Sequence, residues 1–239
     1  MCGRIDLHTP PSRLARLLDA TLAPGVDGDG KPRWNLPPTE GVLALVAGRR
    51  PGASARVLAQ FRWGLVPWWA KDPAVGNRMI NARAETLGER AAYREAFGER
   101  RCLVLADGFY EWYRPDPTSR AGRVPHYFRR ADGAPLTLAG LWDRWRDPAR
   151  RPEEGDILRS CSIVTTSAGP DVAPVHDRMP VVVEADQVDA WLDPEMHDPA
   201  ALLPLLGSSP AGILVSHQVG TAVNDVRNDG PELVQALSG

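Results

Sequence analysis

The chain has 239 residues, 43% of them hydrophobic and 24% charged, with a net charge of −2. This is the composition of an ordinary globular chain, long enough for one large domain or two small ones. Neither an apolar run near the ~20 residues of a membrane span nor a basic stretch leading into a short apolar one, as in a secretion signal, is present, so no membrane partner is expected. Three cysteines, Cys2, Cys102 and Cys161, form no close spacing. That argues against a disulfide framework and a zinc site, and for a reducing cytoplasm. Charge is unevenly distributed: residues 1–130 carry 21 Lys and Arg against 13 Asp and Glu, and the remainder is acidic. Nearly all the cations are Arg, which pairs with phosphate and stacks on aromatic planes.

In chain order, Met1-Cys2-Gly3-Arg4 comes first. If the initiator Met1 is removed, Cys2 presents an α-amine and a thiol on neighbouring carbons. The two titrate near ~8 and ~8.5, so both are partly nucleophilic at neutral pH. With an aldehyde the amine forms an imine and the thiol closes a thiazolidine ring. The plain alternative is a residue on a frayed terminus. Residues 9–22 predict a capped amphipathic helix. Residues 33–39 predict irregular chain, because prolines exclude a helix. Val42–Ala47 and Ala55–Trp63 predict strands joined by a turn at Arg50-Pro51-Gly52, followed by a loop to Ala70. Residues 77–86 lead into a helix near 90–97. Strands are expected at 101–106, 124–130, 136–142, 161–166, 181–183 and 213–217, with short helices near 185–192 and 199–206. Loops are expected at 115–122 and 147–155. The whole, 1–239, reads as a single α+β domain: a curved, largely antiparallel β-sheet or partly open barrel flanked by short helices.

Four further stretches carry chemistry. Glu111 lies among Phe109, Tyr110, Trp112 and Tyr113 at the end of an apolar strand. A desolvated carboxylate there serves as an acid/base; a strand Glu facing solvent has the same sequence. His176, before Asp177-Arg178-Met179-Pro180, is a proton shuttle or a loop histidine. Neither it nor His8, His126, His197 or His217 has metal-ligand spacing, so no metal and no cofactor is expected. Asn81 and Arg83 share a face if Asn81-Ala82-Arg83 is extended, and form a helix start if it is not. Trp63, Trp68 and Trp69 crowd a Pro-Gly loop beside Arg62 and Arg78, a composition suited to stacking unpaired bases. Two adjacent tryptophans in such a loop are not easily both buried.

Jointly, these stretches resemble the SRAP (SOS response-associated peptidase) family of abasic-site sensors. The matching stretches are Met1-Cys2-Gly3-Arg4, Arg33-Trp34-Asn35 with Pro37-Pro38, Trp63 to Trp69, Asn81 to Thr86, Asp107 to Trp112, His176 to Pro180, and Val223 to Val226 with Asn228 and Gly230. Trp34 stands where the family often has Tyr. The resemblance covers nearly the whole chain and implies that Cys2 forms a thiazolidine crosslink with the C1′ aldehyde of an abasic site in single-stranded DNA. By the same resemblance Glu111 is the general acid/base, His176 assists proton transfer and Asn81 orients the Cys2 end. Arg4, Arg83, Arg178 and, more weakly, Thr165 match phosphate-contacting positions; Trp68 and Trp69 match the part that stacks on flanking DNA. An imine at C1′ also permits lyase chemistry. The resemblance implies a monomer of the bacterial cytoplasm that meets DNA in the nucleoid. Two other readings stand beside it: a cysteine peptidase with Cys2 as nucleophile and His176 as base, and a non-catalytic single-strand binder.

Overall fold

The computed structural model describes residues 2–48, 56–116, 118, 122–149 and 157–237. The turn expected at residues 50–52, the first residue of the strand expected from 55, and parts of the loops at 115–122 and 147–155 lie outside them. The chain runs β1 (Ile5–Leu7), α1 (Pro11–Leu17), β2 (Thr21–Leu22), β3 (Arg33–Leu36), β4 (Gly41–Ala47), β5 (Arg56–Trp63), β6 (Asn81–Arg83), α2 (Ala91–Glu99), β7 (Arg101–Ala106) and β8 (Gly108–Tyr113). It continues with β9 (Val124–Arg130), β10 (Leu136–Trp145), β11 (Leu158–Ser167), β12 (Arg178–Pro180), α3 (Val188–Leu192), α4 (Pro199–Leu202) and β13 (Leu214–Gln218), with 3-10 turns between several of these. Among the described residues no helix is long and apolar enough to cross a membrane.

Two sheets organise the fold, and antiparallel pairs dominate both. In the larger, β11, β10, β7, β4 and β5 pair in that order, each antiparallel to the next. β5 then pairs with β11 and closes a five-strand barrel. Directions that alternate around an odd ring must repeat once, so the closing pair is parallel. The smaller sheet has the order β13-β9-β8-β1-β3. The chain passes from one sheet to the other at Asp107, between β7 and β8. Glycine follows because a Cβ at position 108 would lie 2.4 Å from the Tyr127 ring.

Three sequence expectations shift for identifiable reasons. The first helix ends at Leu17, short of Leu22, because Asp19 adopts the left-handed conformation (φ 47°) that terminates helices. The segment expected to be irregular at 33–39 begins as β3. Its prolines follow the strand, and β3 is a sheet edge, where prolines are tolerated. The strand expected at 181–183 lies earlier, as β12. The valine run after it is buried and bridges two strands, Val181 donating its N–H to Val164 and accepting from Ala139.

β8 sorts its residues by alternation. Phe109 and Glu111 face the main core, where Phe109 stacks on Phe128 at 5.0 Å. Tyr110 and Trp112 face a second cluster with Tyr127, Val219, Val223 and Leu233. Residues 223–228 are fastened to this side by Asn35. Its buried amide donates to the carbonyls of Val223 (3.2 Å), Asp225 (3.1 Å) and Asn228 (2.9 Å) and accepts from Arg4 Nη1 (2.6 Å). Removing that amide leaves several polar groups unsatisfied. Asn35→Ala is therefore expected to cost about 2–4 kcal/mol, measured as a lower urea midpoint with an unchanged slope.

Candidate active site at the junction of the two sheets

The second half of β11 acts as a spine. On one edge it pairs with β6 (Ile163 opposite Asn81, Thr165 opposite Arg83) and on the other with β12 (Thr165 opposite Pro180, Ser167 opposite Arg178). The barrel side therefore supplies Asn81 and Arg83 from one strand, and Arg178 from the other with His176 just before it. The smaller sheet supplies Glu111 from β8 and Cys2 from the segment entering β1. Asn81-Ala82-Arg83 takes the extended alternative left open by the sequence.

Cys2 is not frayed; it is 0% exposed. Asn81 Nδ2 donates to its carbonyl at 2.7 Å, while Asn81 Oδ1 is buried with no hydrogen-bond partner. Burial, and then the nearby Glu111 carboxylate, pushes the Cys2 thiol far above its ordinary value, so the resting sulfur is protonated. Glu111, 3% exposed, takes the inward alternative. His176 Nε2 stands 3.9 Å from Glu111 Oε2, too long for a direct hydrogen bond but close enough for both to act on one bound group. His176 Nδ1 has two neighbours at 3.0 Å: the Arg178 backbone N–H, which donates to it, and an Asp177 carboxylate oxygen. One nitrogen of a neutral imidazole cannot serve both. The backbone donor is fixed whereas Asp177 is largely exposed, so the favoured tautomer carries its proton on Nε2, facing Glu111.

The rim differs from residue to residue. Arg178 is held by a bidentate pair with Glu85 (2.6 and 3.0 Å) and donates to the Thr165 carbonyl at 2.7 Å. Thr165 is fully buried and so supports Arg178 from behind, with no surface of its own. Arg83 is exposed. Arg4 donates to Asn35 and to the Val223 carbonyl and lies 5.8 Å from the Trp112 ring. Together with Trp112, Arg123, Thr221 and Asn224 it lines a groove of about 820 Å³. Trp68 and Trp69 are 56% and 52% exposed, whereas Trp63 is core and donates its indole N–H to the Ile80 carbonyl. Trp68 is oriented by an indole bond to Glu95 at 3.0 Å.

The sequence does not single out Glu85, Asn35 or Trp112. Alternation along β8 is the available signal for Trp112. Glu85 acts through Arg178, 93 residues away, and Asn35 through Arg4 and through carbonyls at least 188 residues away, which no local pattern reveals.

A family model described as SOS response associated peptidase (SRAP) matches residues 1–226. The abasic site processing protein YoqW of Bacillus subtilis is 35% identical over 238 residues, covering 99% of this chain and 100% of that one. The abasic site processing protein HMCES of Xenopus tropicalis is 32% identical over 240 residues, covering 88% of this chain and 69% of that one. A crystal structure of a Bacteroides thetaiotaomicron protein superposes with a TM-score of 0.83 at 20% identity, covering 99% and 100% of the two chains, a likeness of fold.

Proposed function

Because the chain belongs to the SOS response associated peptidase (SRAP) family, we propose that it processes abasic sites in single-stranded DNA by capturing them covalently on Cys2. With Met1 removed, the Cys2 amine adds to the C1′ aldehyde and loses water to give an imine. The thiol then adds to the imine carbon, its proton passing to nitrogen, and the thiazolidine closes. Glu111 and His176 carry the protons of these steps, and Asn81 holds the Cys2 carbonyl so that both nucleophiles face one carbon. Loss of the C2′ proton from the imine gives a lyase side path. Arg83, Arg178 and Arg4 hold phosphates, Thr165 acts through Arg178, and Trp68 and Trp69 stack on flanking bases. One protein molecule per lesion suffices.

The observation that carries this reading is Cys2 itself, buried, held by Asn81 and set beside Glu111. In this reading the amine attacks first and the thiol closes the ring, whereas a peptidase would use the thiol alone.

The test is incubation with a single-stranded oligonucleotide carrying one abasic site. A heat-stable adduct is expected on a denaturing gel with wild type. Cys2→Ala and undamaged DNA should give none. If protein whose Cys2 terminus is verified by mass spectrometry forms no adduct, the reading fails.

A further inference from the structure

His8 stands alone in the sequence, but pairing of β1 with β8 puts Asp6 opposite Gly108 and brings Asp107 beside it. His8 Nδ1 lies 2.8 Å from Asp6 Oδ2 and 3.3 Å from Asp107 Oδ2, and the three donor atoms all lie within 4.8 Å of one another. Donors bound to a common ion at ~2.1 Å stand about 3.0–3.5 Å apart, so the spacing needs little adjustment.

Asp6 is fully buried, and its second oxygen, Oδ1, has no hydrogen-bond partner. The Tyr127 phenol also reaches this carboxylate. The groups around the three are themselves fixed. Asp107 Oδ2 accepts from the His8 and Thr9 N–H groups, each at 2.7 Å, and Oδ1 from the Thr9 hydroxyl at 2.7 Å. The His8 ring lies flat on Trp34 at 4.2 Å, which sets its orientation. Ligating groups oriented in this way are usual at metal sites. A cavity of about 350 Å³ lined by His8, Asp107 and Tyr127 gives water a place to complete the coordination.

We propose that Asp6, His8 and Asp107 bind one divalent transition-metal cation of the zinc or manganese class. The cation takes the lone pair of His8 Nδ1, and the remaining imidazole proton sits on Nε2. An imidazole among oxygen donors selects these ions over magnesium. The ion would staple β1 to the β7–β8 junction. Asp6 is four residues from Cys2 and Asp107 four from Glu111, so the staple backs the two strands that deliver the candidate nucleophile and acid/base.

Titration calorimetry with zinc, manganese and magnesium chlorides tests this on the full chain in a Cys2→Ala background, which removes the competing thiol. One equivalent of zinc or manganese is expected to bind, with magnesium at least ~100-fold weaker. His8→Gln, at a partly exposed side chain, and Asp6→Asn should each weaken binding at least ~10-fold, and the rise in Tm with metal should vanish in both. No stoichiometric binding, or equal binding in both variants, overturns the site.

Discussion

A protein with one extra residue ahead of Cys2 is expected to form no thiazolidine adduct, although its thiol is intact. The ring needs a nucleophilic nitrogen and a sulfur on adjacent carbons. An added residue turns the Cys2 nitrogen into an amide, whose lone pair is delocalised, so imine formation stops and the heat-stable band falls to background. Cys2→Ser makes the complementary cut. It keeps the amine, so an imine should still form and be trapped by borohydride, and strand cleavage by β-elimination should continue, while the thiazolidine is lost. A peptidase using the thiol alone would tolerate the added residue and lose activity in the serine variant. The two variants therefore separate the amine, the thiol and the pair. Mass spectrometry of each terminus and a denaturing gel with and without borohydride are the measurements. The expected loss is the largest of any change here, because the position of one covalent bond decides whether the reaction exists.

How much of this was legible in the sequence depended on distance along the chain. β4, β7, β9 and β13 follow from apolar runs and alternation, because a strand's buried face is written every second residue, whereas β8 is not marked as a strand of its own. The barrel was not readable strand by strand, since its closure is a pairing of β5 with β11 across some hundred residues. Cys2, Asn81, Glu111 and His176 were each ambiguous locally. The fold resolves the local alternatives by burying Cys2 and Glu111, extending Asn81-Ala82-Arg83 and turning His176 toward Glu111. Thr165 is fully buried, and its carbonyl and hydroxyl both meet the Arg178 guanidinium. The cluster of Asp6, His8 and Asp107 leaves no mark on the sequence, because two members lie at the start of the chain and the third at the sheet crossing.

Glu111→Gln is the second large effect, and it tests what the carboxylate does. The side chain is nearly fully buried and makes no phosphate or base contact in this reading, so affinity for an abasic-site oligonucleotide should change by no more than ~3-fold. Adduct formation in single-turnover quench experiments should slow about 10²–10³-fold, the scale of a lost general acid/base. If Glu111 and His176 serve the same proton transfers, the double variant with His176→Ala should be little slower than the slower single one. Glu111 has another influence in the opposite direction. Its charge is the second cause, after burial, that keeps the Cys2 thiol protonated. Removing that charge should make the thiol easier to ionise, read as faster alkylation by iodoacetamide. A carboxylate that merely suppressed the thiol would, once neutralised, give faster alkylation and faster adduct formation together. A proton carrier gives faster alkylation and slower adduct formation. Opposite signs in one variant would assign Glu111 to the chemistry, because a general loss of structure would not slow the capture of DNA while leaving its binding intact.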